Sequence, residues 1–588
     1  MCGISGIINF QSSSKDDELS IEKMNKRLLS RGPDANSIWS SEDKMTFLGH
    51  TRLSIIDPFE SSNQPLFDYQ NNIIITYNGE LYNYRELRKE LISFGYNFNT
   101  NSDTEVIIKL YIHYKEEMFN KMLGMFAFCI NDISNKKFLL ARDHYGIKPL
   151  YYFYDGNKFI FSSQVKSIIE NNYIKKEIDP SAVCSFLING SVKEPATMYK
   201  NVKALDAGNY LIIDDGNLQN YSFYNLADHI LEVQNTRNEA ISEITLFEES
   251  LNNTMKRHIT SDVPIALYLS SGVDSTSILN ALNQVSNDKI NTITLGFDDY
   301  KNTKYDEISQ ATQISKNFNT RSFFHYEDSK KFRDLKTNIL KNMDQPSIDG
   351  INTYLISRYA NSLGYKVAIS GIGGDELFSG YPTFYDVPRM KKIYENTQYL
   401  HKFSNILKGS TRKIFDVFNA KKMAYFYDFS YSYIGAYTLR RALFMPDELY
   451  NFLPQNFVKN GLEEFNQTLI DEENLISIKD NISKITYLEF SNYLRNQLLK
   501  DADWAGMANS VEIRVPFIDK EFIDSVMKLS IHNRKEKKIL KATVQAPLKE
   551  ILSSTSKKGF MIPVSNWINS KKNSYHDWAR EIINNYEI

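Results

Sequence analysis

The stretch Ile265–Leu279, IALYLSSGVDSTSIL, decides the fold of the second half of this 588-residue chain. IALYL is a short, continuous apolar run of the kind that forms a strand buried on both faces. It breaks into Ser270, Ser271 and Gly272, small residues that let a backbone close tightly, and then into a segment with helical spacing. A strand, a small-residue loop and a helix in that order place free N–H groups at a helix N-terminus, where an anion is stabilised. Asp274 repels a bare phosphate, so its carboxylate beside such a loop points to a bridging Mg²⁺. The plain alternative is a strand-to-helix turn with a Ser/Asp cap.

Working outward, strand and helix alternate. NTITLGF (291–297), TRSFFHY (320–326) and KVAIS (366–370) read as strands. Helices are expected from near Tyr305, at 330–342 and at 352–363. That alternation predicts a parallel sheet with crossover helices. KVAIS closes in a second loop, SGIGGDE (Ser370–Glu376), again with glycines and an aspartate, Asp375, at a strand's carboxyl end. Open α/β sheets bind ligands at that edge, near the switch point of strand order. Two such loops suit one Mg²⁺ on a pyrophosphate. The GxxxxGK[ST] loop is absent, which favours cleavage between the α- and β-phosphates over γ-phosphate transfer. Residues 385–500 read as helical and aromatic-rich. Within them AYFYDFSYSYIGAY (424–437) is better explained by packing between helices than by a binding surface.

The first 210 residues have another texture. KMTFLGHTRLSII, NNIIITYNGE, GMFAFCIND, KKFLLARD, LYYFYD and KFIFSS are short, near-alternating β stretches. Helical segments interrupt them around 20–30, 84–94 and 104–114. The expectation is an α+β amino-terminal domain of layered antiparallel sheets (1–215), a polar linker (216–240), and an α/β domain with a helical carboxy-terminal region (241–588).

Bulk composition narrows the partners. Lys+Arg 69 against Asp+Glu 71 gives a net charge of −2, with no electrostatic reason to expect nucleic acid or an anionic membrane. Three cysteines, Cys2, Cys129 and Cys184, show neither disulfide nor zinc spacing. Cys129 and Cys184 lie in apolar contexts and read as core. No apolar run is long enough to span a bilayer and no secretory signal opens the chain, so a reducing, cytoplasmic location is expected.

LSSGVDS, SGIGGDELFSGY, SVEIRVPFID and KKGFMIPVSNW, in that order, resemble the synthetase domain of glutamine-dependent asparagine synthetases, which carry an N-type ATP pyrophosphatase loop. The resemblance covers nearly all of 240–570. It implies that a carboxylate is activated by ATP as an acyl-adenylate and that ammonia then displaces AMP. It assigns Leu269, Ser270, Gly272, Asp274 and Ser275 to the pyrophosphate loop, Leu295 in TLGF to adenine, and Ser370 and Gly371 to ATP. Asp274 and Asp375 match the Mg²⁺-associated aspartates. Lys537, in RKEKKILK, matches the lysine that stabilises phosphate charge, with Lys538 as the neighbouring alternative.

MCGISGI resembles the start of class II glutamine amidotransferases, whose Cys2 is an N-terminal nucleophile once Met1 is removed. The α-amine, with a pKa of roughly 7.7–8.0, is a base suited to the thiol. By the same resemblance Asn78 and Gly79 of NGE form the oxyanion hole. Arg52 of TRLSI meets glutamine's carboxylate, and Asp103 of NSDTE, with Glu80, meets its ammonium. Arg31 of SRGPD is structural or catalytic, and RDHYGIKPLYY (142–152) shapes the core and interface. An internal ammonia channel and a homodimer are implied by the family alone.

The acceptor is open. Ile372 stands where aspartate-using relatives place a glutamate, and isoleucine accepts no proton. Glu376, Asp375 or the substrate is left to take that role. DQPSIDGINTYLIS (344–357) carries Asp349, Asn352 and Thr353 in a stretch that faces the acceptor in the family. Gln164 replaces a usual glutamate, and Ser271 a usual glycine. Aspartate and a uronic acid of a surface polysaccharide are both compatible. A non-catalytic regulatory paralogue is disfavoured, since Cys2, Asn78, Asp103, Asp274, Asp375 and Lys537 are all retained.

Overall fold

The computed structural model describes residues 2–235, 242–403, 421–467, 472–544 and 574–586, together with Leu548, Pro563 and Trp567. The motif KKGFMIPVSNW lies outside the described residues except for Pro563 and Trp567.

The amino-terminal domain is a stack of two antiparallel six-stranded sheets between helices. At the centre of the first sheet, β1 (Gly3–Asn9) pairs with β3 (Thr46–Arg52) and β9 (Lys158–Ser162). Beyond them lie β2 (Ala35–Ser40) on one side, and β8 (Tyr151–Tyr154) and β10 (Val202–Ala204) on the other. The second sheet runs β12 (Asn217–Ser222), β11 (Asn209–Asp214), β7 (Lys137–Arg142), β6 (Gly124–Asp132), β5 (Ile73–Leu81), β4 (Leu66–Asp68). Ile4, Ile8 and Leu48 of the first sheet meet Ile74, Cys129 and Leu140 of the second in one buried cluster. Every residue of β1 is buried, because sheet covers one face and the helix Lys15–Arg27 covers the other. Helices Tyr84–Ser93 and Asp103–Tyr114 pack on the outer face of the second sheet. Cys184 lies in the helix Pro180–Asn189, which the sequence reading did not anticipate, and is buried against the carboxy-terminal helices.

The polar 216–240 stretch, read as a linker, is strand and helix as far as Asn235. β12 pairs in full with β11, and Leu226, Ala227, Ile230 and Val233 form the buried stripe of a helix Leu226–Asn235. Polar residues suit an edge strand exposed on one side, so low hydrophobicity here marks an edge and not a connector.

The second half holds the parallel sheet. Its order is β15 (Thr320–Glu327), β14 (Ile290–Phe297), β13 (Ile265–Tyr268), β16 (Val367–Ile369), β17 (Glu512–Arg514), every pair parallel. The chain leaves β13 toward β14 and β15, then returns to lay β16 on the other side of β13. The switch of direction lies between β13 and β16, the two strands that end in Gly/Ser/Asp loops. Helices Val273–Val285, Glu307–Ser315, Ser329–Asn342 and Ile351–Ser362 make the crossovers. The later helical region includes an eleven-residue π-helical turn, Glu489–Leu499, running on into helix Lys500–Met507. Among the described residues no helix is long and apolar enough to cross a membrane.

Candidate active sites at the two ends of a buried interface

Cys2 precedes β1 and is 7% exposed. Its main-chain nitrogen donates to Asn78 Oδ1 at 3.0 Å. Asn78 Nδ2 is buried and has no hydrogen-bond partner among the described residues, an uncompensated donor beside Cys2. Burial pushes the Cys2 thiol up; the amino-terminal charge, a bond from the Leu53 main chain and the Arg52 guanidinium pull it back down. Asp103, at the start of its helix, accepts from Tyr77 Oη and from the Leu81 N–H, both at 3.0 Å. Its carboxyl is raised by burial and lowered by those two bonds. Cys2 is thus joined to Asn78 on β5, and Asp103 to Tyr77 and Leu81 of the same strand, because β1, β5 and the Asp103 helix lie at one end of the domain.

Two predicted residues do more than the sequence reading assigned. Arg52 donates to four loop acceptors, Phe59 O and Asn63 Oδ1 at 2.8 Å, Ile56 O at 3.2 Å and Asp57 O at 2.6 Å. It orders the loop 56–63 while its charge reaches Cys2. Arg31 does not touch the thiol. Its Nε donates to Cys2 O at 3.0 Å, and its fork grips Asp503 of the second half at 2.6 and 3.0 Å. Arg31 therefore positions the Cys2 backbone and ties it across the interface. Lys148, from RDHYGIKPLYY, adds a second buried cation 3.5 Å from Asp503.

Glu80 also crosses the interface. It pairs at 3.0 Å with Arg514 of β17, and its carboxyl is raised by burial despite that cation. Arg514 is fully buried; it also contacts Glu512 at 2.6 Å and the carbonyls of His258 and Thr260, each at 2.7 Å. Arg514 and Asp503 were missed as functional residues. The available signal was charge in the apolar settings EIRVPF and DADWAGM.

At the switch point, the loop after β13 closes on its own side chains. Ser270 N–H donates to Ser275 Oγ at 3.1 Å, and Gly272 N–H to Ser270 Oγ at 3.2 Å. Ser271 N–H donates to Glu307 at 2.8 Å, so a carboxylate rests where the loop offers an anion site. The loop after β16 begins with Ser370 N–H donating to Arg514 O at 2.9 Å. The two loops touch so closely that a Cβ on Gly374 would lie 2.7 Å from the Asp274 carboxyl; within the second loop, one on Gly380 would lie 1.7 Å from Asp375 Oδ1. Glycine is required there by space.

Lys537 joins the two loops. Its Nζ bonds Asp274 and lies 2.8 Å from Asp375 Oδ1. Glu536 and Lys537 both adopt positive φ, 55° and 57°, a strained backbone that drives Lys537 into the site. Lys538 points away to His532, so the lysine at the site is Lys537. Leu295 lies at the end of β14, buried in an apolar cluster with Phe297. Ile372 is half-buried against apolar neighbours. Glu376 is buried, accepts from Tyr381 Oη at 2.9 Å, and is pushed up to about 8 by burial, then by Asp375 and Glu489.

The stretch 344–357 is in large part interface. Asp344 accepts from the main-chain N–H of Val165 and Lys166 at 3.0 and 2.9 Å, Gln345 Oε1 from Met198 N–H at 2.9 Å, and Ser347 bridges Ser191. A small cavity lies there, with Gln164, Asp344, Lys500, Asp501 and Asp503 among its walls.

A family model described as glutamine amidotransferase domain matches residues 1–224, and one described as asparagine synthase matches residues 246–587. The chain belongs to the glutamine-hydrolysing asparagine synthetase family. Asparagine synthetase [glutamine-hydrolyzing] 1 of Bacillus subtilis is 30% identical over 99% of this chain and 90% of that protein. The putative asparagine synthetase [glutamine-hydrolyzing] 2 of Methanocaldococcus jannaschii is 34% identical over 68% of this chain and 79% of its own length. A Gibberella zeae protein named amidase chry2 is 26% identical over 96% of this chain and 90% of that protein. As a member of this family the chain is an ATP-dependent carbon–nitrogen ligase with glutamine as amido donor.

Proposed function

We propose that the chain makes asparagine from aspartate, glutamine and ATP through a β-aspartyl adenylate. The observation that carries this reading is Lys537 held between Asp274 and Asp375 at the sheet's switch point.

Removal of Met1 turns the Cys2 nitrogen into an α-amine, held by Asn78 Oδ1 and placed to accept the thiol proton. The thiolate adds to the glutamine carboxamide. Asn78 Nδ2 and the Gly79 N–H take the oxyanion that develops. Ammonia leaves, and water releases glutamate from the thioester. Asp103 and Glu80 hold the substrate's ammonium and Arg52 its carboxylate.

In the second half an oxygen of the aspartate β-carboxylate attacks the α-phosphorus of ATP, the bond to the bridging oxygen breaks, and pyrophosphate leaves. Ammonia then attacks the acyl carbon, a proton is lost, and AMP departs. Lys537 stays buried beside this charge throughout, and burial lowers its affinity for a proton less than its two carboxylates raise it. Asp274 and Asp375 would hold Mg²⁺. The two carboxylates converge on a single cation position, which fits a divalent ion. Two carboxylates would leave the other positions of such an ion to phosphate oxygens and water. When bound, the ion neutralises the departing pyrophosphate. With Ile372 unable to accept a proton, Glu376, whose pKa of about 8 lies near that of an incoming ammonium, takes it.

The test is pyrophosphate release by the purified protein with ATP, Mg²⁺ and glutamine, run with aspartate and in parallel with uronic acids and their nucleotide-sugar forms. Release with aspartate and asparagine formed in equal amount is expected. Silence with aspartate and release with a uronic acid would replace the acceptor and leave the rest of the mechanism intact.

A further inference from the structure

The loop after β13 commits its N–H groups to side chains of the protein itself. Ser270 N–H and Gly272 N–H donate to the hydroxyls of Ser275 and Ser270, and Ser271 N–H donates to the carboxylate of Glu307 at 2.8 Å. These partners are not equivalent. A hydroxyl turns and offers its proton to an arriving phosphate oxygen, whereas an ionised carboxylate only accepts. Of the three bonds, the one to Glu307 is the bond that a phosphate group has to break.

A rigid helix start aims this carboxylate at the loop. Glu307 is half-buried and opens the helix Glu307–Ser315, whose inner face buries Ile308, Ala311 and Ile314. Asp306, the cap, is 4% exposed and accepts from Ile308 N–H at 3.2 Å. Both its oxygens accept from Tyr326 Oη at 3.0 Å, and one accepts from Asn302 N–H at 3.1 Å. With the backbone fixed in this way, rotation about the side-chain bonds of Glu307 is what moves its carboxylate on or off the loop.

The charges nearby are arranged unequally. Asp274, the other carboxylate at this loop, is answered by Lys537. The lysines closest to Glu307 in sequence, Lys301 and Lys304, lie instead over the rings of Tyr326 and Tyr305, at 4.7 and 5.3 Å. Ser271 stands just ahead of the helix Val273–Val285, whose cap Gly272 makes no side-chain bond to the first turn. The positive end of that helix is thus left to an anion, and Glu307 bonds at its edge. A pyrophosphoryl group that takes the Ser271 N–H meets a like charge within hydrogen-bond range, so the two anions exclude each other. ATP offsets that competition with its adenosine contacts. Free pyrophosphate has only the loop, and feels the competitor in full.

We propose that Glu307 is a built-in competitor for the pyrophosphate loop. It swings off Ser271 when the β- and γ-phosphates of ATP enter, and swings back to expel pyrophosphate once the bond to the α-phosphate has broken. This rests on the ATP reading of the loop given above, and adds to it a residue that acts on product release.

The test is calorimetry on the full chain with Mg²⁺, measuring pyrophosphate, α,β-methylene ATP and AMP binding to wild type, E307Q and E307A. Both variants are expected to bind pyrophosphate about tenfold more tightly, the worth of one charge-assisted hydrogen bond no longer competing. α,β-Methylene ATP should tighten in the same direction, while AMP, which has no pyrophosphoryl group, binds as in wild type. In ammonia-driven synthesis the inhibition constant for pyrophosphate should fall about tenfold as well. The sign separates this role from a structural one, since a loop merely loosened by the substitution binds pyrophosphate more weakly. Weaker or unchanged pyrophosphate binding overturns the proposal. If E307A does not fold, the nearly isosteric E307Q decides, with AMP binding as the check on its fold. If wild type binds neither pyrophosphate nor α,β-methylene ATP, the ATP reading falls and the proposal with it. If wild type binds both and the variants bind them no tighter, only the role of Glu307 falls.

Discussion

The site at Cys2 and the site at Lys537 solve the same problem, bringing a few polar groups together, by opposite means. At the first, Cys2, Asn78 and Glu80 are placed by β-pairing: β1 and β5 lie deep in stacked sheets and the side chains inherit the register. At the second, two loops leave the ends of parallel strands and are drawn together by charge, with Lys537 between Asp274 and Asp375. The first borrows a cation for Glu80, Arg514, from across the interface. The second needs one at all times, whether ammonium or metal, because two carboxylates at such close quarters repel.

Four substitutions sharpen that contrast, the largest effect first. Cys2→Ala removes the only nucleophile at the first site. Glutamine-driven synthesis and glutamate release should fall by about 10⁴ or more while ammonia-driven pyrophosphate release stays near wild type. Retained glutaminase activity would remove Cys2 from its role. Lys537→Met should reverse the pattern, with pyrophosphate release down about 10³-fold from either nitrogen source and glutamate release intact. It should also lower thermal stability in the absence of Mg²⁺, and a melting scan with and without the ion checks this. Asn78→Ala is expected to cost about 10²–10³ in glutaminase kcat, the usual worth of one oxyanion donor, with KM for glutamine less affected. A pure KM effect would move Asn78 from the oxyanion to substrate binding. Glu376→Gln is the mildest, about tenfold in ammonia-driven kcat. Here pH decides. Glu376 works as a base only when ionised, so the wild-type rate should rise with pH through about 8, and that limb should vanish in the variant.

The two sites also differed in how far the sequence revealed them. The parallel sheet could be read because IALYL, NTITLGF, TRSFFHY and KVAIS are each long enough to show as strands alternating with helices. β17 could not, since three residues, two of them charged, carry no pattern. The loops after β13 and β16 were legible because their small residues and aspartates act locally. Lys537 was reached only through resemblance. Nothing in RKEKKILK announces that Glu536 and Lys537 turn left-handed and bury one lysine among five cations. Arg31 and Asp503 stand 472 positions apart, and only the assembled chain shows that each neutralises the other. The aromatic run at 424–437 proved mixed. Tyr425, Phe426 and Tyr437 are buried as expected, and Tyr437 also lines a cleft beside Arg441.

The ion pairs Arg31–Asp503 and Glu80–Arg514 bear on how such a protein can be recombined. Each pairs a buried charge of one half with a buried charge of the other, where losing a partner costs about 3–5 kcal/mol. A chimera that joins this glutaminase half to the synthetase half of a relative inherits both debts unless Asp503 and Arg514 have counterparts there. The heritable module is thus the half together with the charges it lends across the seam, and in domain exchange those four residues have to travel as one set.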